Sequence, residues 1–433
     1  MVSLKEENLV YGIKISSIGP GRISGSDLIH EPNNTDLAMK LHYLKCVYFF
    51  SGEAVQELTI MHIRKTMFLW LNDEYITCGR FRKSESGRPY LKCNDCGIRF
   101  VEANCDKTVE EWLLMEDHSL HNQLVYHQPI GPELIFSPPV YIQVTRFKCG
   151  GISLGLSWAH ILGDGFSFSD WINRWGLLIG GLKPNALPKF INSEEGSKIP
   201  APIIGKELLS LKRVDPVDDL WVTPNNCKME TFSFHVSPTQ MSNLKSKVSG
   251  DKHKFRSFES LCAIIWKCIA IVREGFEPKL VTICKKDPYT KGGVLSNSQI
   301  ISAVRADFPV MDANLDQLVT LLVNQAIDER NVIEATVKTD NGLSDFILYG
   351  SNLTFVDLEE TDLYGLKIYG KKPDFVYFTI QGVGDEGTVL VLPGKNDPGK
   401  DVEVETGRFV TLILPQDVML KLKFELKNEF SIA

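Results

Sequence analysis

The chain has 433 residues, of which 43% are hydrophobic and 23% charged, and its net charge at pH 7 is −7. A chain of this length exceeds what one compact core usually supports, so two globular domains are predicted. The negative charge and the lack of any arginine-rich run argue against a nucleic-acid partner, because phosphate binding depends on clustered lysine and arginine.

The N-terminus and the cysteines bear on the compartment. Residues 1–20 contain no uninterrupted apolar run, so no secretory signal is predicted. The sequence has no run of about 18 apolar residues, so no transmembrane segment is predicted. Ten cysteines without such a signal favour reduced thiols in a cytosolic setting. Cys93 and Cys96 form an isolated C-x-x-C, for which two ordinary thiols are favoured, and no metal site is predicted.

The first half predicts alternating strands and helices. Apolar residues lie at helical spacing in LTIMHIRKTMFLWLNDEY, which follows the strand-like LAMKLHYLKCVYFF. Two later strands, PPVYIQVTRFKCGG and ISLGLSWAH, predict a hairpin at residues 149–151. One face of the second strand carries only small residues, namely Ser153, Gly155, Ser157 and Ala159. Such a face allows another element or a ligand to approach closely, and tight packing is the favoured interpretation.

A helix is predicted after HILGDG, capped by Ser167 or Ser169. Its apolar stripe includes Trp171 and Trp175, which are expected in the core, and residues 180–181 end it with two glycines. Proline-rich sequence follows, with six of the 21 prolines between positions 184 and 224. Such a stretch is typical of a surface crossover between domains.

The predicted organisation is therefore an N-terminal domain at residues 1–185, a crossover linker at 186–228 and a C-terminal domain at 229–433.

The second half predicts several strands and two helices. The strands are METFSFHVS, KLVTIC, SNLTFVDL, FVYFTIQGVG, TVLVLP and RFVTLILP, and the closing helix is PQDVMLKLKFELKNEF. In the other helix, SFESLCAIIWKCIAIVREG, Trp266 is expected in the core. Ser257 is the predicted cap of that helix, and this is favoured over a site for coenzyme A phosphates at the helix start. Alternating elements in both halves predict an α/β, or mixed α+β, fold.

His160 and Asp164 are the candidate catalytic residues. A histidine suits removal of a proton near neutral pH, as transfer of an activated acyl group to an alcohol or amine requires. Asp164 could orient the imidazole, or could anchor the turn by pairing with an arginine, and Gly165 would permit a sharp bend. The H-x-x-x-D spacing alone is weak, because composition predicts about half a chance match in a chain like this. A histidine at a strand end beside a capping aspartate is the structural alternative.

Sequence context strengthens the assignment. The segment TRFKCGGISLGLSWAHILGDGFSFSDWINRW closely resembles the acceptor-activating segment of the plant BAHD acyl-CoA-dependent acyltransferases. GRFRKSESGRPYLKCNDCGIRFVEA and SFESLCAIIWKCIAIVRE resemble two further regions of that family. The resemblance implies two chloramphenicol-acetyltransferase-like domains with a solvent channel between them. It also implies that His160 is the general base in mid-channel and Asp164 the structural aspartate of the same motif.

A second family motif, DFGWG followed by Lys-Pro, is missing. Alignment on the Lys-Pro pair places Lys367 at the motif's aspartate, while Asp374 lies beyond the proline. The arginine that pairs with that aspartate in the family corresponds to Cys284. The family's YFGN element, expected near GGVLSNSQI, is also absent. The altered frame predicts that His160 and Asp164 are retained from an ancestral site whose other parts have changed.

Four segments closely resemble the eceriferum-type proteins of plants, a subgroup of this family: LAMKLHYLKCVYFFSG, FKCGG…GLSWAHILGD, YGSNLTFVDLEETDLY and GKKPDFVYFTIQGVGD. The resemblance implies an accessory role in very-long-chain fatty acid elongation for cuticular wax. The implied partners are the 3-ketoacyl-CoA synthase of the elongase and very-long-chain acyl-CoA, at the cytosolic face of the endoplasmic reticulum. No cofactor is required in this role, although acyl-CoA is a possible ligand whose binding residues the sequence does not identify.

Two alternatives stay open. The chain could be an acyl-CoA-dependent O- or N-acyltransferase that uses His160 as base, which the intact HILGDG favours. It could also be a scaffold that binds no acyl-CoA. A histidine-dependent acyl product would identify the first, and partner binding without acyl-CoA binding the second.

Overall fold

The computed structural model describes residues 8–25, 27–115, 117–182, 207–249, 255–273, 275–290, 293–394 and 407–433. Its strands are β1 (Val10–Ile18), β2 (Ile29–His30), β3 (Tyr43–Phe50), β4 (Arg80–Lys83), β5 (Pro89–Lys92), β6 (Ile98–Cys105), β7 (Val140–Phe147), β8 (Ile152–Ala159), β9 (Lys212–Val214), β10 (Met229–Val236), β11 (Leu280–Lys285), β12 (Ile300–Arg305), β13 (Ile327–Asp328), β14 (Asp345–Ile347), β15 (Leu353–Asp357), β16 (Phe375–Gln381), β17 (Thr388–Pro393) and β18 (Arg408–Pro415). Its helices are α1 (Asn34–Ala38), α2 (Gly52–Val55), α3 (Ile60–Trp70), α4 (Val109–Leu113), α5 (Gly165–Ile179), α6 (Pro238–Ser249), α7 (Ser257–Val272), α8 (Leu315–Asn324), α9 (Arg330–Thr339) and α10 (Gln416–Phe430).

Two large mixed sheets organise the described residues. The first has the strand order β1-β6-β7-β8-β3-β16, and the second has the order β10-β18-β17-β15-β11-β12-β13. Helices α3 and α5 pack together in the first half, and α7 packs against α8 and α10 in the second. This is the mixed α/β architecture in two domains that the sequence predicts.

Strand β16 crosses from the second half of the chain into the first sheet. It pairs antiparallel with β3, so that Thr379 lies opposite Lys45. The order of the elements along the chain predicts that this strand belongs to the C-terminal domain. Its pairing with β3 shows instead that the two halves of the chain share a sheet. Residues 183–206, which contain much of the predicted linker, lie outside the described residues.

The hairpin of β7 and β8 confirms the turn predicted at residues 149–151. The small face of β8 serves tight packing at Gly155, where a Cβ atom would lie 1.8 Å from the carbonyl oxygen of Leu124. Ser157, on the same face, accepts or donates a hydrogen bond with His127 Nδ1 at 2.8 Å. Both features of this face therefore bring the segment before β7 close to the sheet.

Helix α5 is anchored by its tryptophans. Trp171 packs on Trp70 and on Trp158, with ring centroids 4.1 and 4.9 Å apart. Trp175 stacks on Trp70 at 5.9 Å. These buried aromatic contacts confirm the predicted core stripe and fix the helix directly behind the turn that carries His160.

Both predicted serine caps are wrong. Asp164, and neither Ser167 nor Ser169, caps α5. Arg256 is the N-cap residue of α7, and Ser257 is the first helical residue. Ser257 is buried, as is Trp266, whose core position is confirmed. The predictions placed each helix start within five residues, but the local pattern did not identify which residue occupies the N-cap position.

The cysteines are free thiols, with Cys93 buried and Cys96 exposed. None of the described helices has the length and apolar character needed to cross a membrane.

Candidate functional site

The turn that carries His160 follows directly from the end of β8. Residues His160–Leu162 form a single 3₁₀ turn, and Gly163 then adopts a φ of 152° before α5 begins. A Cβ atom at Gly163 would lie 2.8 Å from Cβ of Ser167, so a side chain there would clash. The bend predicted at Gly165 is therefore located two residues earlier, and Gly165 is the first residue of α5.

His160 is fully enclosed. Its side chain has no exposed surface, and its Nε2 lies 2.9 Å from the hydroxyl oxygen of Tyr349. Its backbone N–H donates to the carbonyl of His42 at 3.0 Å, and its carbonyl accepts from Asn297 Nδ2 at 2.8 Å. The family resemblance implies a solvent channel that reaches this histidine, whereas the described residues around it leave its side chain no exposed surface.

Tyr349 occupies the position that a proton-donating substrate would need. Its hydroxyl group also accepts a hydrogen bond from Gln299 Nε2 at 2.9 Å, and only 1% of the residue is exposed. A general base must lie within hydrogen-bonding reach of the proton that it removes. Here Nε2 of His160 already meets a hydroxyl that belongs to the protein, so an acceptor hydroxyl could reach it only if Tyr349 moved.

Burial keeps the histidines of this cluster neutral. It lowers the pKa of His160 to about 4, although the carbonyl of His160 and the amide of Asn297 oppose the shift. Burial, and then the neighbouring His160, lowers the pKa of His42 to about 3. His42 accepts the N–H of Leu348 at Nε2 and places Nδ1 2.8 Å from the carbonyl of Gly382, so its proton lies on Nδ1.

Asp164 holds two parts of the chain together. One carboxylate oxygen accepts the N–H groups of Phe166 and Ser167 at 3.1 and 3.0 Å, which caps α5. The other accepts the N–H groups of Ser298 and Gln299 at 2.9 and 3.1 Å. Burial raises the pKa of Asp164 and these donors oppose the rise. Of the two predicted roles, the described residues show neither orientation of His160 nor pairing with an arginine.

Cys284, at the predicted arginine position, is a buried thiol of β11. Burial raises its pKa, and the negative charge of Asp164 adds to the effect. Lys367, at the position of the motif's aspartate, is exposed, whereas Cys284, at the position of the paired arginine, has no exposed surface. Asp374 accepts the N–H of Ser51 at 2.7 Å beside the start of β16. The backbone amides of residues 298–299 thus satisfy Asp164 without an arginine.

Sequence reasoning missed the segment that completes this frame. Asn297 donates both its backbone N–H and its side-chain N–H to Asp36, at 2.8 and 2.9 Å, and so links α1 to the His160 turn. Burial raises the pKa of Asp36 to about 7, against the effect of these donors. In the sequence, the one feature that pointed to this segment was the absence of the family's YFGN element near GGVLSNSQI.

Two cavities lie near this frame, and His160 lines neither of them. One, of about 430 Å³, is lined by residues of β3, β10, β16 and β18. Among the described residues, the other, of about 270 Å³, has Lys286 as its one cation and the carboxylates Asp170, Glu360 and Asp362. Lys286 pairs with Glu360 at 3.6 Å. The described side chains of this cavity are therefore mainly acidic, whereas the phosphates of coenzyme A are bound by cationic or N–H donors.

The comparisons with known proteins agree with this fold. The model of the Transferase family matches residues 33–280. The chain is 47% identical to protein ECERIFERUM 26-like of Arabidopsis thaliana, over 97% of this chain and 96% of that protein. It is 36% identical to protein ECERIFERUM 2 of the same plant, over 98% and 99%.

Among solved structures, vinorine synthase is similar with a TM-score of 0.72 at 17% identity, over 96% of this chain and 97% of that one. F. graminearum TRI101 with coenzyme A and deoxynivalenol is similar with a TM-score of 0.69 at 15% identity, over 93% and 98%. At these identities the likeness shows the fold alone. The fold is thus that of a two-domain protein of mixed α/β architecture, with the H-x-x-x-D turn in its first half. The chain belongs to the Transferase (BAHD) family, and within it is similar to the ECERIFERUM proteins over nearly its whole length.

Proposed function

We propose that this protein is an accessory factor of very-long-chain fatty acid elongation for cuticular wax. In this role it associates with the 3-ketoacyl-CoA synthase of an elongase at the cytosolic face of the endoplasmic reticulum and raises the length of the product. The near full-length similarity to ECERIFERUM proteins supports the wax connection. The family resemblance supplies the expected partner.

One observation carries the argument against acyl transfer at His160. Nε2 of His160 is hydrogen-bonded to Tyr349 at 2.9 Å inside a cluster without exposed surface, so it does not face a substrate. An accessory factor acts by shape and association and needs no proton transfer at this histidine. The proposal includes very-long-chain acyl-CoA as a ligand of the complex, and no step of the reaction is assigned to coenzyme A bound by this chain.

The neutral imidazole favours the rival function. With a pKa of about 4, His160 keeps an unprotonated nitrogen at pH 7, as a general base requires. For acyl transfer at His160, Tyr349 would have to move away from Nε2 so that an acceptor hydroxyl or amine could reach it.

The test is the fatty-acid chain-length profile of cells that express a wax-type condensing enzyme. The profiles are compared without addition, with wild type, with His160→Gln and with His235→Gln as an exposed histidine control. We expect equal lengthening by all three proteins, with the condensing enzyme recovered in complex with each.

Loss of lengthening only in a folded His160→Gln protein would refute the accessory proposal in favour of chemistry at His160. No lengthening by wild type would refute it outright. Incubation of purified protein with long acyl-CoA and alcohol acceptors then decides whether a histidine-dependent acyl product forms.

A further inference from the structure

The 430 Å³ cavity contains a buried lysine without a partner. Lys45 lies in the middle of β3, between Ser157 of β8 and Thr379 of β16. Only 9% of Lys45 is exposed, and it lines the cavity. In the described part of the chain its amine makes no ion pair and no hydrogen bond. The stem of Lys45 is buried while its amine reaches the open space of the cavity, so a partly desolvated charge lies there without a counter-charge from the described residues.

The other buried cations of the described residues are satisfied. Lys40, only five residues earlier, pairs with the buried Asp345 at 2.8 Å. Arg80 donates to the carbonyl oxygens of Gly79 and Gly97 at 2.7 and 2.9 Å. These two buried cations therefore have a counter-charge or carbonyl acceptors, and Lys45 differs in having neither.

Two further polar atoms at the cavity also lack partners. Nε2 of His127 and Oγ1 of Thr379 are buried without a hydrogen bond among the described residues, and both side chains line the cavity. Burial, and then the charge of Lys45, lowers the pKa of His127 to about 3, so this imidazole is neutral. The amine of Lys45 and these two unsatisfied polar atoms thus line one space from three neighbouring segments.

The remaining wall identifies the chemistry of a ligand. No aspartate or glutamate of the described residues lines the cavity, while Leu41, Met229 and Ile413 supply apolar surface. The volume lies within the range of small-molecule sites. Gln381 and Val222 are exposed at its rim, so the cavity reaches solvent. One cation, neutral polar neighbours and apolar walls suit a monoanion with an apolar body better than a phosphate dianion, whose second charge would be unmatched.

We propose that this cavity is a binding site for an aliphatic carboxylate, whose carboxylate pairs with Lys45 and bonds to Thr379 while its chain contacts the apolar wall. The site is separate from the His160 turn and does not depend on the function proposed above. It accounts for an amine that faces this cavity without a counter-charge from the described residues.

The test is calorimetric binding of decanoate to the purified full chain, with decanol as the uncharged match and inorganic phosphate as a second anion. Lys45→Met keeps the length of the side chain and removes its charge. Lys421→Met, an exposed lysine of α10, is the control. We expect wild type and the control to bind decanoate at least tenfold more tightly than decanol. Lys45→Met is expected to lose this preference and keep its affinity for decanol.

Acetylation of lysines with acetic anhydride, read by mass spectrometry, gives a test that needs no variant. We expect decanoate, and not decanol, to protect the amine of Lys45 at least fivefold. No binding of decanoate, equal binding of decanoate and decanol, or unchanged preference in Lys45→Met would each overturn the proposal. Protection by inorganic phosphate as strong as that by decanoate would also overturn it, because the site would then recognise an anion without an apolar body.

Discussion

Two polar clusters sit close together in this protein, and they differ in what lies beside their polar atoms. Around His160, Tyr349, Asn297 and Asp164 meet protein partners at 2.8 to 3.1 Å, although Nδ1 of His160 and Oδ1 of Asn297 are buried without a partner among the described residues. Around Lys45, the amine and two neighbouring polar atoms meet none among the described residues, and a cavity lies beside them. A largely hydrogen-bonded buried network rigidifies a fold, whereas unpaired polar groups beside a cavity are suited to a ligand. The recognisable motif therefore coincides with the more fully bonded cluster.

The largest expected effect comes from Asp164→Ala. This change leaves four backbone N–H groups without their acceptor, two at the start of α5 and two at residues 298–299. Unsatisfied buried donors cost about 1–3 kcal/mol each, so we expect a loss of about 3–5 kcal/mol in the free energy of unfolding. Urea denaturation followed by tryptophan fluorescence measures it. Asp316→Ala, at an exposed position of α8, is the control and should change it by less than about 0.5 kcal/mol.

If Asp164→Ala lowered the free energy of unfolding by less than about 1 kcal/mol, other contacts would hold the turn that carries His160. The hydrogen bonds of Asp164 would then not distinguish this cluster from the one around Lys45.

His160→Gln should alter the acid sensitivity of the fold. The pKa of His160 is about 4 in the folded chain against 6.5 as its ordinary value, so the unfolded chain binds the proton more readily. Stability therefore falls as pH drops from 6.5 to about 4, by a total of about 3 kcal/mol from this residue. His160→Gln lacks this contribution, and its free energy of unfolding should fall less steeply over that window. An equal slope in wild type and variant would mean that the imidazole is accessible to protons in the folded protein.

Lys45→Met should stabilise the protein near neutral pH. Burial lowers the pKa of Lys45 from 10.5 to about 8, so the folded state disfavours its charge. This cost is fully present below pH 8, falls as pH rises through 10.5 and disappears above that pH, where both states are neutral. We expect the variant to be about 2 kcal/mol more stable than wild type at pH 7, since access to the cavity offsets part of the burial. The charge-dependent part of this difference should vanish above about pH 11.

A destabilised Lys45→Met protein at pH 7 would indicate a counter-charge for the amine, and the two clusters would then not differ as described.

Tyr349→Phe should have the smallest effect. It removes one hydroxyl group and leaves Nε2 of His160 and the amide of Gln299 without that partner. A buried hydrogen bond of this kind contributes about 1 kcal/mol net, so we expect a loss of about 1–2 kcal/mol in urea denaturation. The proposed elongation activity should not change. Newly acquired acyl transfer by this variant would show that Tyr349 alone blocks His160.

Much of the fold could be predicted from local pattern. The hairpin of β7 and β8, the stripe of α5 and the helix α7 follow from hydrophobic periodicity and glycine positions. The caps could not be predicted, because a serine inside the first turn and an aspartate just before it are both good caps. The surroundings of Lys45 could not be predicted either. A lysine within an apolar strand is equally consistent with an edge strand, with an amine that has a counter-charge and with an amine that has none.

The sequence by itself determined the family, the order of the elements and the H-x-x-x-D turn, because each depends on residues that are near neighbours along the chain. Only the tertiary structure decided that Tyr349 closes on His160 and that Asn297 braces the turn, at sequence separations of 189 and 137 residues. It also decided that Lys45 and Thr379 share one face, through the pairing of β3 with β16. Such contacts depend on how distant elements pack, and local periodicity carries no information about that.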